Sequence, residues 1–557
     1  MAANETEQGS NSSKSILKQA GILAAAGIIV RIIGLLYRSP LTAIIGDEGN
    51  GYYTTAYNIY AVVLLISSYS IPSAVSKIMA GKLALQEYAN AKRIFVCALI
   101  YCLIAGGIAS AALYFGAPFL ATHNLFLTDA VPVLRIFAPT IFLFGILGVL
   151  RGYFQAHRTM VQTSISQIIE QIMNAVMSLV MAHVLIGMAV ADDTTTRAVY
   201  GAMGSAIGTG AGVLIALLFM ALLFFLSKDV LNKRAAADLN DADPYATAFK
   251  SILFFVTPFI LSTFIYNFTT TLDQTIFTRV MINVRGYLEQ DVSQNYGIYA
   301  GKAVVISNIP IAISTAFSAA LMPNISGAAA RDDVRGCKQI TRQTIRMTML
   351  VAIPAAVGLV ALARPVTMAL FPQKESLDAA SALLAAIAVT VVFYSLSTVT
   401  NGVLQGIGRV NVPVMHAAIA LVIQAGILYA LLMYTQLFSM ALVIALIVYS
   451  FLVCVLNQLS IRKYLGLKIG WQRVYLFPAI CALVMGAVAF FVYTGMYALI
   501  HLMNDSEYFS NLLALVFAIA VAVAVYALLL LKLKIVTQHD LAQMPGGARL
   551  KKIFGKV

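Results

Sequence analysis

Charge is what this chain has least of. Of its 557 residues only 11% are Asp, Glu, Lys or Arg, and 23 are acidic. Soluble domains carry about 25% charged residues. That scarcity, with 60% hydrophobic residues and a mean hydropathy of +0.86, excludes an ordinary water-soluble fold. No Gly-x-x-x-x-Gly-Lys-Ser/Thr string occurs, which excludes a phosphate-cradling loop and with it direct drive by ATP. The five cysteines, Cys97, Cys102, Cys337, Cys454 and Cys481, are odd in number and lack metal-ligand spacing. They read as small packing residues, and no metal or cofactor is expected. His123 and His183 stand alone, as structural or solvated histidines. The spans offer no converging histidines and carboxylates, so a polysaccharide-modifying membrane enzyme is the weakest of three functional readings.

What fills the chain instead is apolar sequence. The hydrophobic runs resolve into about fourteen helices of membrane-spanning length, an all-α polytopic membrane protein. Residues 1–15 are polar, without a cleavable signal, and 534–557 form a basic tail. The net charge of +14 would suit nucleic acid, but the distribution of the cations points elsewhere. With the N-terminus inside, only Arg197, Arg279, Arg285, Arg364 and Lys374 fall at external positions, and only Arg31, Arg38, Arg135 and Lys302 within spans. The basic charge is therefore a topology signal that places both termini in the cytoplasm, and no nucleic-acid partner is expected. Attraction of the Lys551–Lys552 tail to anionic lipid adds to it.

Two of the intramembrane cations sit in the first run. An arginine at the centre of a spanning helix costs roughly 2.5–3.5 kcal/mol and cannot shed its proton, so it should face water or a partner. Arg31 and Arg38 lie two helical turns apart and point the same way. Their forks suit phosphate or pyrophosphate oxygens in a wet cavity. The alternatives are carboxylate pairing between helices, or snorkelling of Arg38 beside Pro40. Gly46-Asp-Glu-Gly-Asn-Gly51 reads as a short flexible turn. Beyond it Tyr52, Tyr53, Tyr57 and Tyr60 form either an interface belt or a cavity wall, and Pro72 marks a kink.

The stretch from Arg151 to Asn174 runs from a cytoplasmic turn into the fifth span. Gln167, Glu170, Gln171 and Asn174 fall at i, i+3, i+4 and i+7, a polar stripe that must face the bundle interior. Glu170 suits a coupling cation or proton. Equally, the stripe serves interhelical hydrogen bonds worth about 0.6 kcal/mol each. Asn267, Thr271 and Gln274 share a face of the seventh span. Beside them Asp273 is expected to pair with Arg38 or Lys302, the alternatives being cation coupling or a solvated position. Lys302, two turns into the eighth span, is a point charge for phosphate or a lock through Asp273. Gln424 and Asn457 read as packing amides.

The run Arg151-Gly-Tyr-Phe-Gln155, with Ser166-Gln167 and Glu170-Gln171, resembles the signature of the Gram-positive lipid II flippase and stage V sporulation protein B family, within the multidrug/oligosaccharidyl-lipid/polysaccharide exporter superfamily. Arg31-Ile-Ile-Gly34, Ile71-Pro-Ser-Ala-Val-Ser-Lys77, Lys302 and Leu404-Gln405-Gly406 extend the likeness over essentially the whole chain. The resemblance implies two six-helix lobes, 16–226 and 248–462, joined by a linker at 227–247 and followed by two further helices at 473–533, with a central cavity opening alternately to either side. Internal repetition agrees: Gly152-Tyr-Phe-Gln155 recurs as Gly402-Val-Leu-Gln405, and Pro72 as Pro323, a parallel repeat.

The resemblance further implies a monomeric flippase of the bacterial cell membrane. It would carry a polyprenyl-pyrophosphate-linked glycan such as lipid II from the inner to the outer leaflet, alongside membrane lipids and the cell-wall synthesis machinery. An ion gradient or the membrane potential, worth about 2.3 kcal/mol per charge per 100 mV, would drive it. A cation-coupled multidrug exporter of the same superfamily is the alternative. Such a protein should rely on acids rather than bare cations.

Overall fold

The computed structural model describes residues 25–157, 159–189, 193–238, 243–467, 470–533 and 535. The expected tails apart from Ile535, the start of the first span, Arg158 and the side chains of Asn267 and Pro323 lie outside this set. The described residues are helical, without a strand. Among them twelve helices are long and apolar enough to cross a membrane, and two shorter apolar ones, Ala25–Leu36 and Tyr245–Thr257, take the places of the first and seventh expected spans. This is a multi-pass membrane protein.

Two compact units divide the chain, Met1–Gly297 and Ile298–Val557. The first holds α1 (Ala25–Leu36), α2 (Arg38–Leu64), α3 (Ile71–Ala84), α4 (Tyr88–Tyr101), α5 (Gly107–Phe119), α6 (Val131–Ala156), α7 (Val161–Met188), α8 (Thr194–Ala236), α9 (Tyr245–Arg279) and α10 (Glu289–Tyr296). The second holds α11 (Val304–Ala330), α12 (Val334–Ala361), α13 (Ala363–Leu370), α14 (Lys374–Gly406), α15 (Asn411–Tyr434), α16 (Ser439–Leu465), α17 (Phe477–His501) and α18 (Glu507–Lys532).

The turn expected over Gly46–Gly51 shrinks to one residue. Gly46 alone adopts a positive φ, +72°, which glycine tolerates at no steric cost. The glycines after it are already helical and serve close packing: a side chain at Gly51 would collide with the Ser293 carbonyl of α10, and one at Gly297 with the Asp47 carbonyl. The segment is rigid packing surface, not flexible loop.

Small residues set the remaining crossings, as expected where lipid tails remove the hydrophobic drive between helices. Gly204, Gly208 and Gly212 of α8 press against the backbone of Ala182, Ser178 and Glu170 on α7. On α6, Gly145, Gly148 and Gly152 face Ser68, Pro72 and Val75. Pro72 withholds a donor from the carbonyl of Ser68, and the helix widens over Leu65–Tyr69 in response. In the second unit Gly402 and Gly406 of α14 seat Ser318 and Ile325 of α11 in the same manner.

Beyond its expected end at 226, α8 continues to Ala236, because Ser227–Ala236 contains no helix breaker and several strong formers. Hydrogen bonds and ion pairs then anchor the connection to α9. Ala89 N donates to Asp238 (2.9 Å), Asp243 N to Asn90 (2.7 Å), and Lys82 bridges Glu87 (2.6 Å) and Asp243 (2.9 Å). Helix α9 itself packs on α2, α3 and α4 within the first unit, although the sequence places its span at the head of the second lobe.

Candidate substrate site

Helix α1 continues into α2 through Tyr37, whose N–H reaches Ile33 O (3.1 Å) and whose carbonyl accepts from Leu41 N (3.1 Å). Arg31, Gly34 and Arg38 therefore fall within a narrow arc of one face. That arc turns toward α7: the Cα of Gly34 approaches Gln171, where an added Cβ would stand 3.3 Å from Nε2. Arg31 is exposed and Arg38 half-buried. Around Arg38 stand Tyr37, Tyr53 and Tyr57, with a hydrogen bond to Tyr37. Among the described residues Arg38 forms no ion pair, so the expected alternative of pairing with Asp273 is not what holds it.

The tyrosines pack inward, on α6, rather than forming an interface belt. Tyr52, Tyr53 and Tyr60 are buried, and Tyr53, Tyr57 and Tyr60 cluster around Phe137 of α6 with ring centroids 4.7–6.0 Å apart. Tyr53 Oη hydrogen-bonds Thr209 (3.1 Å), which donates to Asn174 Oδ1 (3.3 Å). Ser178 donates to the same oxygen (3.0 Å). Tyr60 neighbours Glu170.

Glu170 is held by Arg151 (Nη2 to Oε2 2.7 Å), whose Nε also donates to Ser166 Oγ (2.9 Å). The Arg151 side chain is 7% exposed and that of Glu170 24%. The stripe on α7 is thus an ion pair with amides around it. Gln167 and Gln171 are half-buried along the same helix, and Gln155 in the last turn of α6. Gly152 takes its place through its close packing on Pro72 and Val75.

A second network lies on α9. Gln274 Oε1 accepts from Asn58 Nδ2 (2.7 Å), which also reaches Tyr296 Oη (2.9 Å), while Gln274 Nε2 donates to Thr55 Oγ1. Thr271 donates to the Asn58 carbonyl (3.4 Å). Asp273, 6% exposed, is beside Tyr296. Sequence reasoning found Thr271, Gln274 and Asp273 but not Thr55 and Asn58. Their spacing of three within an apolar, aromatic helix is the signal that would have exposed them.

In the second unit Lys302 is 1% exposed. It donates to Ser376 Oγ (2.7 Å) and lies 5.9 Å from the centroid of Phe371. Neither Ser376 nor Phe371 stood out in the sequence. Gln405 is half-buried near the end of α14. Arg31, Arg38, Glu170 and the tyrosines therefore gather in one unit, while Lys302 belongs to the other.

A family model described as "Polysaccharide biosynthesis protein" matches residues 16–329, and one described as MatE matches 300–430. Two relatives come from Bacillus subtilis (strain 168). "Lipid II flippase MurJ" is 25% identical over 432 residues, covering 74% of this chain and 76% of the relative. "Stage V sporulation protein B" is 24% identical over 493 residues, covering 86% and 91%. Among solved structures, lipid II flippase MurJ in an inward closed conformation superposes with a TM-score of 0.65 at 14% identity, over 91% of this chain and 97% of that one. An inward-facing multidrug resistance MATE transporter gives 0.63 at 16% identity, over 78% and 94%. At these identities the superpositions establish the fold.

Proposed function

We propose a flippase, from the premise that the chain belongs to the polysaccharide biosynthesis protein family, whose model spans more than half of it. The named relatives are transport and sporulation proteins, and the chain is a membrane transporter rather than an enzyme. The substrate we infer is a polyprenyl-pyrophosphate-linked glycan, lipid II or a close analogue. One observation carries this reading: Arg31 and Arg38 occupy one arc of α1–α2, turned to the Gln171 face of α7, with Tyr37, Tyr53 and Tyr57 around Arg38. Guanidinium forks match pyrophosphate oxygens bidentately, phenols add donors, and the flanking glutamines suit sugar hydroxyls.

Lys302, buried in the second unit, is a further group that we assign to phosphate binding. Glu170 and Asp273 are the groups we assign to gating. Positive-inside bias supports cytoplasmic termini, so transport runs from the inner leaflet outward. A monomer suffices, with the cell-wall synthesis machinery as the class of partner that consumes the cargo.

Complementation of a bacterium depleted of its lipid II flippase tests the proposal. Growth restored by this chain is the expected result, and failure of a well-expressed, correctly inserted protein contradicts it. The MatE match favours a second reading, a cation-coupled multidrug exporter. That reading requires Asp273→Asn to abolish drug resistance conferred by the chain; resistance absent from the outset rejects it.

A further inference from the structure

The extension of α8 past its expected end creates a feature that the flippase reading does not use. Ser227–Arg234 leans over the α6–α7 turn and encloses, with the end of α3 and the start of α4, a pocket of about 430 Å³. Its walls are apolar and aromatic: Leu83, Tyr88, Tyr153 and Phe154. Its polar groups are Arg234, His157, Thr159, Gln162 and Ser227, and no carboxylate lines it among the described residues.

The polar groups point to an anionic ligand. Arg234 lies over the Tyr88 ring, 5.6 Å from its centroid, and among the described residues it forms no ion pair. His157 Nδ1 hydrogen-bonds the Tyr153 carbonyl (2.8 Å), fixing the ring against the pocket wall. Gln162 stands in the first turn of α7, whose N-cap, Met160, supplies no side-chain cap. The positive end of a 28-residue helix therefore meets the pocket. The Oε1 of Gln162 is buried and has no hydrogen-bond partner among the described residues. An acceptor in that state asks for a donor from whatever fills the space.

We propose that this pocket binds the headgroup and glycerol neck of an anionic phospholipid from the adjoining leaflet. The phosphodiester sits on Arg234 and the α7 terminus, a headgroup hydroxyl donates to Gln162, and the neck lies on Tyr88, Tyr153 and Phe154. The position argues for lipid over a soluble anion. The pocket is formed where spans end, at headgroup depth, and the walls need an apolar partner that a free phosphate lacks. Phosphatidylglycerol carries both the charge and the hydroxyls.

The full-length chain, purified in mild detergent and mixed with equal amounts of phosphatidylglycerol and phosphatidylcholine, tests the site by native mass spectrometry of retained lipid. The intact protein should hold phosphatidylglycerol in preference. Arg234→Gln should lower that preference about tenfold, the worth of one charge-assisted contact. Ala84→Trp, which fills the pocket and leaves the charge, should do likewise, whereas Arg331→Gln in the other unit should change nothing. Equal retention of both lipids by the intact protein would overturn the proposal without recourse to any variant. So would unchanged retention in Arg234→Gln and Ala84→Trp, or displacement of the lipid by soluble glycerol phosphate. The readout is retention rather than translocation, so it stands apart from the flippase assignment.

Discussion

Residues 250 apart occupy matching places in the two units, and at one such place the two have solved the same burial problem differently. In the first unit Arg151 of α6 pairs with Glu170 and Ser166 of α7. The matching positions in the second are Asn401, Ala420 and His416. There Asn457 Nδ2 donates to Asn401 Oδ1 (2.7 Å) and Thr400 Oγ1 (3.2 Å), and its Oδ1 accepts from His416 Nδ1 (2.8 Å). Ser460 Oγ and His416 Nε2 are hydrogen-bonded (3.3 Å). A network of amides, hydroxyls and one imidazole, without a carboxylate–guanidinium pair, thus satisfies this crossing, so the ion pair retained in the first unit is more than the fold requires. That surplus is a reason to place function there.

The largest effect should come from breaking the charged version. Glu170→Ala leaves Arg151 buried without its counter-ion and should destabilise the purified protein by about 3 kcal/mol, at the low end for a buried pair because Glu170 is partly exposed. Adding Arg151→Asn, which copies the second unit, should recover most of that loss. Thermal unfolding of the two single variants and the double variant measures it. A double variant as unstable as Glu170→Ala would break the comparison.

Next come the glycine crossings. A methyl group at Gly152 meets Val75 Cβ at 2.7 Å and the Pro72 carbonyl at 2.9 Å, neither of which can swing away, whereas at Gly402 it meets the Ser318 hydroxyl, which can rotate. Gly152→Ala should therefore cost about 2 kcal/mol and Gly402→Ala less than about 1 kcal/mol, measured in the same way. Equal losses would mean that the two crossings tolerate a methyl group alike, and would remove this contrast between the units.

His416→Leu should cost about 1 kcal/mol, the loss of one hydrogen bond with an acceptor left unpaired. Comparison of its unfolding midpoint with that of Asn457→Ala sharpens the estimate. A loss as large as that of Glu170→Ala would put this network on a par with the ion pair.

The smallest effect concerns connections. Lys82, then Asn90, holds the Glu87 carboxyl below the usual carboxylate range, whereas the α11–α12 turn relies on Asp333 accepting from Gly336 N (2.8 Å). A depressed carboxyl stabilises fully above its ordinary pKa, and that contribution fades as pH falls through the lowered value. Hydrogen exchange at residues 84–90 should stay slow at neutral pH and rise only well below pH 4.5, with Lys82→Gln raising it at neutral pH. Exchange already fast in the unaltered protein would remove the clamp from the account.

Much of this architecture was legible in the sequence because lipid imposes a strong length rule. Apolar runs gave the helix order, and the repeated Gly-x-x-Gln placed the matching crossings. The 3.6-residue period found the α7 stripe, but period says nothing about partners, so the Arg151–Glu170 pair and the environment of Lys302 stayed hidden. Local composition misled at Gly46–Gly51, where glycines that read as flexible serve tight packing. At 227–236 polar residues that read as linker continue a helix, since good helix formers need no apolar face once they leave the membrane.

The central claim is that positive charge on α1 receives the pyrophosphate. Translocation of fluorescent lipid II by reconstituted vesicles carrying Arg31→Ala or Arg31→Lys, with thermal unfolding as the control for folding, tests it most directly. The account predicts near-complete loss with alanine and partial activity with lysine, at an unchanged unfolding midpoint; full transport by the alanine variant would contradict it.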